Sequence, residues 1–547
     1  MVHEAEHQIA HAPVEGATVG VLVPRPLKGA LDYRVPEGMH LARGDIVEVP
    51  LGRSGTSLGV VWGPGEGKFE PARLKTIERR FDVPPLNESL LRFVTWVANY
   101  VLSPPGAILD LVLRVPEALE PERERKAIRL GAHELPKPTA ARARVLEIAA
   151  DGLARKLGEL AEAAGVTTQV VKGLVKLRAL EEVTLPPQGA GQQPDPAWAG
   201  PTLSTAQSNA AAHMIKAVHA KTFSASLLDG VTGSGKTEAY FEAVAAALQA
   251  GRQSLILLPE IALTVQFLER FTKRFGVRPA EWHSDLTQGK RRRTWRSVML
   301  GEARVVVGAR SALFLPFKEL GLIVVDEEHD TAFKQDEGVV YHARDMAVVR
   351  ARMENCPIVL SSATPSLETW INAETGRYTR LHMPDRHGRA KLPEATLIDM
   401  RREETPPGDF LSPALTNAVV ETLAQGEQAM LFLNRRGFAP LTLCKACGHK
   451  MGCPRCTSWL VEHRYKRKLV CHHCGYDRNA PAACPECKTA GAFIACGPGV
   501  ERVAEEVKLK FPNARTNIAS SDTMSGPRQI QAAIEAIANH EIDILIG

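Results

Sequence analysis

One stretch of the chain, SLLDGVTGSGKTEAYFEAVAAALQ from Ser226 to Gln249, constrains the fold more than any other. A short apolar run leads into GVTGSGKT, which fits the phosphate-loop pattern G-x-x-x-x-G-K-[ST], and a helix-forming segment follows. In such a loop, backbone N–H groups converge on phosphate oxygens, a lysine reaches the β and γ phosphates, and a hydroxyl binds Mg²⁺. The predicted nucleotide-binding residues are Gly230, Gly233, Ser234, Gly235, Lys236 and Thr237.

A nucleotide site of this kind also needs carboxylates at the end of a second buried strand, and GLIVVDEEH supplies them. Asp326 is expected to hold the Mg²⁺ shell, and Glu327 is expected to polarise the attacking water. Together with Lys236, these two acids are the predicted catalytic residues. Glu328 and His329 either belong to the site or form a solvated end of the loop.

Further apolar runs indicate that these strands belong to one sheet. SLILLPE, ARVVVGA and PIVLSSATP are continuously apolar rather than alternating, which is typical of parallel strands covered by helices on both faces. We interpret SSATPS, at Ser361–Ser366, as a segment that senses the nucleotide state. A second α/β set contains EQAMLFLNRRG, ERVAEEVKLKF and the strand IDILIG.

Eight of the ten cysteines form four Cys-x-x-Cys pairs in the second half of the chain. Because each two-residue spacing places two sulfurs on the same side of a metal, the pairs predict two tetrahedral Cys₄ zinc sites, with iron–sulfur clusters as the alternative. Spacing alone leaves nested, adjacent and crossed pairing open. The predicted ligands are Cys444, Cys447, Cys453, Cys456, Cys471, Cys474, Cys484 and Cys487.

Other residues near the cysteine pairs have a supporting role in this interpretation. Nearby histidines are expected to face solvent or to contact the ligands; they are His449, His463, His472 and His473. Closed Cys₄ sites stabilise a fold and do no chemistry. The stretch HRYKRKLV, which contains Tyr465, either meets a nucleic acid or forms a plain solvated hairpin. Cys356 and Cys496 are interpreted as small buried apolar residues.

The first 200 residues predict smaller modules. Short β-rich runs between Thr18 and Pro116 indicate a small β-barrel or sheet, and a helical stretch from Asn87 to Leu113 is broken by prolines. EALEPERERKAIRLG is interpreted as a connector. Three helices between Thr139 and Val183 suit a helix-turn-helix of the winged type, which is either a DNA contact or a protein–protein joint. PPQGAGQQPDPAWAGP has the composition of a linker.

Total charge says little about partners. The 67 Lys and Arg against 62 Asp and Glu give a net +5, which permits nucleic acid binding without arguing for it. The N-terminal MVHEAEHQIAHAPVEG has no apolar run of the signal type, and no later segment approaches a membrane span. We therefore expect a cytoplasmic protein with no membrane partner, in which spaced cysteines hold metal rather than form disulfides.

The order of the motifs indicates which class of phosphate-loop protein the chain resembles, because kinases and transporters share the loop itself. After GVTGSGKT come LLPEIALT, VVVGARSALFLPF, IVVDEEH, LSSATPS and LFLNRRG. This succession resembles a superfamily 2 helicase, in which two lobes clamp ATP. With the eight-cysteine insertion, it resembles the PriA family, the primosomal protein N′ helicases of replication restart, over nearly the whole chain.

The resemblance implies an α/β fold with two RecA-like helicase lobes, the second incomplete, and a zinc-binding insertion. A small β-rich DNA-binding domain and a winged helix are implied in front of the lobes. The nested pairing of the cysteines becomes the favoured one. The implied domains are 16–117 for binding a 3′ DNA end, 118–185 for the winged helix, 186–201 for a linker, 202–395 for ATP-binding lobe 1, and 396–547 for lobe 2, which contains the double zinc-binding insertion 444–487.

The resemblance also implies roles for single residues. Asp32 in LDYRVP matches the carboxylate that meets a terminal 3′-OH, and Lys75 in ARLKTI matches a basic contact nearby. Leu31 stands where the family commonly has an aromatic residue. Arg310 in VGARSALF is implied to contact DNA, and Gln207 in LSTAQ matches the residue that reads adenine.

DTAFKQDEGVVYHARD resembles the aromatic-rich loop by which the family couples DNA to ATP. Phe333 and Tyr341 either take part in that coupling or are ordinary core or lid residues. The chain ends at DILIG, where the family continues into its last two motor motifs and an arginine-bearing segment. Because such an arginine stabilises charge on the γ-phosphate, we expect this chain to bind ATP and forked DNA but to hydrolyse and unwind poorly.

By the same resemblance, the chain is an ATP-dependent 3′→5′ DNA helicase of replication restart, which recognises stalled or branched forks, initiates primosome assembly and reloads the replicative helicase. The implied cofactors are ATP, Mg²⁺ and two Zn²⁺. The implied partners are forked and single-stranded DNA, other primosome proteins, single-stranded DNA-binding protein and the replicative helicase loader. The alternatives are a non-catalytic fork-binding scaffold and an unrelated P-loop ATPase or kinase.

Overall fold

The computed structural model describes residues 18–547 except for short gaps at 53–54, 68–72, 121–124, 186–191, 260–264, 387–392, 401, 405–408, 434–440, 445, 464–467, 472, 492, 497–499 and 520–526. The chain divides into two compact units, Met1–Lys391 and Leu392–Gly547. Among the described residues, no helix combines the length and the apolar character that crossing a bilayer requires.

The first unit begins with a small antiparallel sheet, as the β-rich runs predict. Its strands are β1 (Thr18–Leu22), β2 (Leu31–Arg34), β3 (Ile46–Leu51), β4 (Gly55–Pro64) and β5 (Arg79–Arg80). Their spatial order is β2-β1-β4-β3-β5. Valines on one face, among them Val47 and Val49, are fully buried, so this sheet has a core of its own.

Two helices follow the sheet, α1 (Glu88–Tyr100) and α2 (Pro105–Val112), and the prolines between them end the helical run as the sequence predicts. The Asn87 side chain caps the first turn of α1. The apolar faces of both helices join a larger core, in which the rings of Phe93 and Phe314 lie 5.6 Å apart. The N-terminal module and the ATP-binding sheet therefore share hydrophobic packing.

Three helices are present between Ala140 and Lys176, and two strands flank them. The expected helical character up to Val183 is wrong for the last residues, which belong to a strand. The elements are β6 (Arg125–Leu130), α3 (Ala140–Ala149), α4 (Leu157–Ala163), α5 (Thr168–Lys176) and β7 (Leu180–Leu185). Strands β6 and β7 pair antiparallel. The interpretation of EALEPERERKAIRLG as a mere connector is therefore wrong for its second half. The assignment to a winged helix remains a prediction.

The core of the first unit is a seven-stranded sheet with helices between its strands. The elements are α6 (Thr205–Ala220), β8 (Ser224–Gly230), α7 (Lys236–Gln249), β9 (Gln253–Leu257), α8 (Val265–Phe275), β10 (Ala280–Trp282), α9 (Gln288–Leu300), β11 (Val305–Gly308), β12 (Leu320–Asp326), β13 (Lys334–Gln335), β14 (Tyr341–His342), α10 (Ala343–Met353), β15 (Pro357–Ser362), α11 (Leu367–Glu374) and β16 (Thr379–Met383). Strands β13 and β14 form a separate antiparallel hairpin.

The seven strands run in the order β10-β11-β9-β12-β15-β8-β16, and every neighbouring pair is parallel. This confirms the parallel sheet that the continuous apolar runs predict. In the register of β12 and β15, Asp326 lies beside Ser361, and β15 in turn places Ser362 beside Asp229 of β8. Because parallel strands end at a common edge, the phosphate loop, the acids and SSATPS meet there.

Part of the segment predicted as a linker lies against α8. The backbone N–H of Asp195 donates to the carbonyl of Phe275 at 3.0 Å, and Arg274 donates to the carbonyl of Trp198 at 2.8 Å. Arg274 also pairs with Glu242 on α7 at 2.9 Å. These contacts fix the chain just before α6, which carries one of the predicted nucleotide contacts.

The second unit contains a three-stranded parallel sheet with an insertion. Its α/β elements are α12 (Pro413–Ala424), β17 (Ala429–Leu431), α13 (Val500–Lys510), β23 (Thr516–Ile518), α14 (Pro527–Ala538) and β24 (Ile544–Ile546), and the strand order is β17-β24-β23. The insertion contains β18 (Leu441–Cys444), β19 (Val461–His463), β20 (Lys468–Val470), β21 (Asp477–Asn479) and β22 (Phe493–Cys496). Because its first and last strands pair antiparallel, the insertion closes on itself. We call residues 441–496 the zinc module.

Candidate ATP, zinc and DNA sites

The phosphate loop lies between β8 and α7, where the sequence predicts it. Gly233 and Gly235 have φ angles of 81° and 79°, in the left-handed region that favours glycine. A Cβ at Gly235 would lie 2.0 Å from the side-chain nitrogen of Gln207, so space as well as conformation requires glycine there. The loop leads into the N-terminus of α7, where unpaired N–H groups and the helix dipole favour an anion.

Lys236 and Thr237 are both almost buried at the start of α7. The ammonium group of Lys236 donates to the carbonyl of Gly230 at 2.8 Å, which holds the charge over the loop. The hydroxyl of Ser234 is buried and has no hydrogen-bond partner among the described residues. Buried polar atoms are rarely left unpaired. A bound phosphate would satisfy this hydroxyl, so the loop residues fit the triphosphate that the motif predicts.

Gln207, predicted to read adenine, lies against the phosphate loop. Its side-chain nitrogen donates to the carbonyl of Ser234 at 2.9 Å, and its oxygen accepts from the backbone N–H of Ser204 at 2.7 Å. The second bond belongs to the capping box that begins α6. The amide therefore links α6 to the loop, and a contact with adenine requires exchange of these bonds. The adenine contact remains a prediction.

Asp326 ends β12 with its carboxylate held by both neighbouring elements. It accepts hydrogen bonds from the hydroxyl of Tyr240 on α7 at 2.9 Å and from the hydroxyl of Ser361 on β15 at 2.7 Å. Burial, followed by the charge of Asp326, raises the pKa of Tyr240 well above its ordinary value, so the phenol stays a donor. The carboxylate is fixed in orientation, as a Mg²⁺ ligand acting through water requires.

Glu327 differs from its neighbour in conformation and exposure. Its φ is 49°, an uncommon value for a residue other than glycine, and its side chain is 43% exposed. Burial of the remainder, followed by the charge of Asp326, raises the pKa of this carboxyl above its ordinary value. A raised pKa makes a carboxylate a better proton acceptor, which suits the water-polarising role predicted for Glu327.

Glu328 is fully buried, so the alternative of a solvated loop end is wrong for this residue. Its carboxylate accepts from the backbone N–H of Ser366 at 2.7 Å and from the hydroxyl of Thr369 at 2.9 Å. It also pairs with Arg344 at 3.2 Å. Because Ser366 ends SSATPS and Arg344 belongs to the aromatic-rich segment DTAFKQDEGVVYHARD, at the start of α10, Glu328 joins three motifs.

His329 is partly exposed and makes a different contact. Its Nδ1 lies 2.8 Å from the hydroxyl of Ser362 and 3.7 Å from the carboxylate of Glu327. It therefore connects the end of β15 to the acid that is predicted to act on water. Sequence reasoning gave no role to Tyr240, Arg344 or Thr369, because their spacing along the chain does not reveal that they contact the acids of DEEH.

The eight paired cysteines form two groups of four, in the nested arrangement. Cys444, Cys447, Cys484 and Cys487 form the outer group, and Cys453, Cys456, Cys471 and Cys474 form the inner one. Sulfur–sulfur distances across the groups are 3.6 and 3.7 Å in the outer group and 3.5 and 3.4 Å in the inner one. A tetrahedron with Zn–S bonds of about 2.3 Å has edges of about 3.8 Å, so each group fits one zinc ion.

Other predictions around the cysteines have mixed outcomes. His449 and His473 do not belong to either sulfur group, and His449 instead lies 4.0 Å from Glu486. Cys356 is fully buried, and burial raises the pKa of its thiol to about 12, which confirms an inert apolar residue. The following lie outside the described residues: His472, residues 464–467 with Tyr465, and the side chains of His463 and Cys496.

Asp32 and Lys75 lie at one edge of the N-terminal sheet. Asp32 is on the edge strand β2, is nearly buried, and accepts from the backbone N–H of Glu66 at 2.9 Å. The carbonyl of the exposed Lys75 accepts from the N–H of Arg34, two residues from Asp32, at 2.9 Å. Leu31 packs against the sheet core. The backbones that carry the two predicted residues are thus joined, whereas the ammonium group of Lys75 donates to the carbonyl of Gly52. Their contact with a 3′ end remains a prediction.

Arg310 donates to the carbonyls of Ala332 and Lys334, at 3.1 and 2.8 Å, and so holds the aromatic-rich loop. Phe333, between these carbonyls, is 1% exposed, and Tyr341 is 4% exposed. Both rings are therefore buried in the core of this structure. This favours the interpretation of Phe333 and Tyr341 as ordinary core residues over a role in coupling DNA to ATP. The DNA contact predicted for Arg310 remains a prediction.

Some motifs quoted from the sequence fall partly or wholly outside the described residues. They include EIALT at 260–264 and NRRGFAP at 434–440, and the stretches GPG at 497–499 and SSDTMSG at 520–526 are likewise outside. The roles expected of these segments stay predictions.

A phosphate loop, an Asp-Glu pair and a Ser-Ala-Thr segment that meet at one edge of a parallel sheet define a superfamily 2 helicase lobe. The family model for DEAD/DEAH box helicases matches residues 205–372. The 3′ DNA-binding domain model of PriA matches residues 20–114, and the model of the PriA DNA helicase Cys-rich region matches residues 453–478. The chain belongs to the PriA family of replication restart helicases.

Two PriA relatives support this assignment across the chain. The replication restart protein PriA of Rickettsia felis is 36% identical over 532 residues, which cover 96% of this chain and 70% of the relative. Its counterpart in Haemophilus influenzae is 32% identical over 97% of this chain and 73% of the relative. The structure of RecG bound to a three-way DNA junction overlaps 64% of this chain and 36% of that chain, with a TM-score of 0.39 and 16% identity.

Proposed function

We propose that this chain is an ATP-dependent DNA helicase that moves 3′ to 5′ and acts on stalled or branched replication forks. The observation that carries the proposal is the buried Glu328, which joins the acids of the ATP site, SSATPS and the start of α10 in one packed group. A kinase or small-molecule ATPase has no need to connect its nucleotide site to a loop of this kind. A helicase needs this connection, because it must couple ATP hydrolysis to its contacts with DNA.

The ATP site supplies the groups that hydrolysis requires. Lys236 balances the charge of the β and γ phosphates, while Thr237 and Asp326 would hold Mg²⁺, which neutralises phosphate charge when bound. Glu327 accepts a hydrogen bond, and then a proton, from the water whose oxygen forms a bond to the γ-phosphorus. The bond between that phosphorus and the ADP oxygen breaks, so ADP and phosphate leave.

Transmission between DNA and ATP follows the contacts of Glu328. Arg344 stands near the end of the aromatic-rich segment DTAFKQDEGVVYHARD, in the first turn of α10, and its guanidinium also donates to the carboxylate of Asp345 at 2.8 Å. A displacement of the loop therefore changes the position of Arg344 against Glu328. Glu328 directly follows Glu327, so the displacement reaches the residue that handles water. Glu328 and Arg344 are positioning residues in this proposal.

The DNA contacts that we propose lie in the first unit. Asp32 and Lys75 receive a 3′ end at the edge of the N-terminal sheet. A cleft of about 1050 Å³ lies between that module and the aromatic-rich loop, and Arg310 lines it. Further cations line the same cleft, namely Arg25, Arg114 and Lys334. Phosphates of a strand that enters the cleft would meet these charges.

The zinc module and the wider partners complete the proposal. Two Zn²⁺ ions, one in each Cys₄ group, stabilise the module without taking part in hydrolysis. Membership of the PriA family supports primosome proteins, single-stranded DNA-binding protein and a replicative helicase loader as protein partners. Forked and single-stranded DNA are the nucleic acid partners, and the matched 3′ DNA-binding domain model supports them.

The test compares ATP hydrolysis and strand separation with and without DNA. Whatever its basal rate, the unmodified chain should hydrolyse ATP faster with forked or single-stranded DNA than without it. Any strand separation should favour substrates with a 3′ loading strand over those with a 5′ one. Lys236→Ala should lower both activities by roughly 10²- to 10³-fold, because it removes a cation from the developing phosphate charge. Lys216→Ala, which removes an exposed lysine on α6, is the matched control and should change neither.

Fork binding in the absence of ATP separates the alternatives. A motor retains fork binding in the Lys236→Ala variant while losing unwinding. Hydrolysis that ignores DNA, or phosphate transfer to a small acceptor, would contradict the proposal and favour another P-loop enzyme. Fork binding with no hydrolysis in the unmodified chain would favour a scaffold.

A further inference from the structure

The positive charge of the chain is concentrated in the zinc module. Residues 441–496 contain nine Lys and Arg against three Asp and Glu, a net +6, whereas the whole chain carries +5. The rest of the chain is therefore close to neutral. A local excess of this size on a small module is the electrostatic signature of a surface that meets a polyanion.

Two cations of the module lie over aromatic rings rather than beside acids. The ammonium nitrogen of Lys450 is 5.5 Å from the ring centre of Trp459, and the guanidinium carbon of Arg455 is 5.2 Å from that of Tyr476. Within the described part of the module, neither cation has a carboxylate at ion-pair distance. The two cations therefore keep their charge available to an added anion.

The side chain of Trp459 is exposed although its neighbour in the chain is buried. Its side chain is 48% exposed, whereas the next residue, Leu460, is fully buried in the small core with Met451 and Leu469. The N–H of Leu460 donates to the carbonyl of Met451 at 2.8 Å, and Trp459 bridges Gly452 across the same turn. Because side chains alternate along such a strand pair, the register that buries Leu460 turns Trp459 outwards.

The inner Cys₄ group holds both pairs in place. Arg455 lies in the turn between Cys453 and Cys456, and its N–H donates to the sulfur of Cys453 at 3.4 Å. The carbonyl of Tyr476 accepts from the N–H of Cys471 at 2.8 Å. Closure of this group around a metal therefore fixes the backbone that carries the cations and the rings. The surface formed by these cations and rings is therefore preformed before a ligand binds.

We propose that Lys450, Arg455, Trp459 and Tyr476 form a stacking surface for single-stranded DNA on the zinc module. A base stacks on the exposed indole, and the flanking phosphates approach the two cations. Such a surface accepts any sequence, because every base has a flat face. Duplex DNA keeps its bases stacked on one another and offers only phosphates, so a single strand is the occupant that uses both the rings and the charges.

The first test is a crosslinking experiment with the full zinc-loaded chain and no ATP. Oligothymidylate that carries 5-iodouracil is bound and irradiated, and the crosslinked peptides are identified by mass spectrometry. Crosslinks at Trp459 or Tyr476 support the proposal, and crosslinks confined to other residues overturn it. The readout needs neither hydrolysis nor unwinding, so it is independent of the outcome for the proposed helicase activity.

Binding affinity of labelled oligothymidylate provides the second test. Trp459→Ala should weaken it by roughly 5- to 100-fold, the range for loss of one stacked base, and Trp459→Phe should remain within about threefold of the unmodified chain. Lys450→Gln should weaken binding and lower its salt dependence. Lys488→Gln is the matched control, because it removes an equal charge beside the outer Cys₄ group, where the lysine donates to a carbonyl instead of covering a ring.

Three outcomes would overturn the proposal. One is unchanged affinity in Trp459→Ala with two zinc ions per chain. Another is equal competition by a duplex of the same length, which would indicate a phosphate surface without stacking. The third is displacement of the oligonucleotide from Trp459 by an acidic peptide of equal charge, which would indicate a protein partner. If Trp459→Ala loses zinc, the crosslinks of the unmodified chain decide the question.

Discussion

The ATP-binding lobe is stabilised by a large apolar core, whereas the zinc module is stabilised mainly by its ligand cysteines. In the lobe, central strands such as Leu320–Asp326 are buried along their whole length, and helices cover both faces of the sheet. In the module, the buried core consists of Met451, Leu460 and Leu469 together with ligand cysteines. The apolar core of the lobe therefore does not depend on the residues of the ATP site. In the zinc module, the zinc ligands themselves make up a large part of the core.

This difference predicts which substitutions should affect catalysis and which should affect folding. Changing a residue that handles ATP should alter chemistry and leave the lobe folded, because a large apolar core remains. Changing a zinc ligand should remove the structure around it, because few other buried contacts hold the module together. Four variants test or refine that contrast.

Loss of zinc should produce the largest effect. Structural zinc binding contributes about 10 to 16 kcal/mol in small domains, so chelation or Cys471→Ser should unfold the zinc module while the ATP-binding lobe persists. Hydrogen exchange should lose protection across the zinc module and keep it in the strands of the ATP-binding lobe. Cys356→Ala, a buried cysteine in the lobe, is the control and should retain both zinc ions. Unchanged protection of the module after chelation would refute the contrast.

Glu327→Gln should affect activity strongly and folding little. Loss of the proton acceptor should lower the rate of hydrolysis by about 10²- to 10⁴-fold. The pKa of Glu327 is raised by burial and then by Asp326, so ionisation of the folded chain is disfavoured. Stability contributed by the protonated carboxyl is present at low pH and is lost as pH rises through the raised pKa. The glutamine variant should therefore unfold no more easily than the unmodified chain at neutral pH.

The pH profile provides the check on this variant. Hydrolysis by the unmodified chain requires ionised Glu327, so the acidic limb of the rate profile should lie above the ordinary pKa of 4.5. Denaturant unfolding of the two proteins should converge as pH falls below that limb. A glutamine variant that hydrolyses ATP at the normal rate would show that another residue accepts the proton.

Glu328→Ala should be an exception to this contrast. Glu328 belongs to the DEEH motif of the ATP site, but its buried contacts also stabilise the fold of the lobe. Removal of the carboxylate leaves Arg344, only 8% exposed at its side chain, without its buried partner. Breaking one side of a buried ion pair typically costs about 3 to 5 kcal/mol, and Asp345 should offset part of that. Chemical denaturation measures the loss. Glu374→Ala, at an exposed acid at the end of α11, is the control. A loss below about 1 kcal/mol for Glu328→Ala would contradict the assigned role.

The sequence was sufficient to predict features that depend on local pattern. Continuous apolar runs predicted the parallel sheet, the glycine spacing predicted the loop at Gly230–Thr237, and the pairs of cysteines predicted two ligand groups. Each of these is set by neighbours in the chain or by a fixed spacing. The nested pairing came from family resemblance, because four equal spacings do not distinguish partners.

Features that depend on tertiary contacts could not be predicted in this way. Glu328 stands among three acids in DEEH, and only the positions of Ser366 and Arg344 show that it alone is fully buried. The engagement of Gln207 with the loop depends on where α6 lies beside β8. Strand β6 was missed because charges in RKAIRL obscure its alternation, while its partner β7 lies some fifty residues away.

Tyr240→Phe should have the smallest effect and would show how far the lobe tolerates change at its site. The hydroxyl donates to Asp326 at 2.9 Å, and its removal leaves that carboxylate with the hydroxyl of Ser361 and the N–H of Glu327 as donors. We expect a stability loss of about 1 kcal/mol, typical of one hydrogen bond, because phenylalanine fills the same volume. Hydrolysis should fall only severalfold at saturating Mg²⁺ and more at low Mg²⁺, since a less constrained carboxylate binds the metal shell more weakly.

Tyr378→Phe is the matched control for this variant. Tyr378 is half-buried in the same lobe, and within the described residues its hydroxyl makes no hydrogen bond of this kind. Its replacement should change neither stability nor the Mg²⁺ dependence of the rate. If Tyr240→Phe behaves like this control, the hydroxyl of Ser361 and the N–H of Glu327 are sufficient to orient Asp326. If it unfolds the lobe instead, the apolar core does not hold the site independently, and the contrast with the zinc module fails at its strongest point.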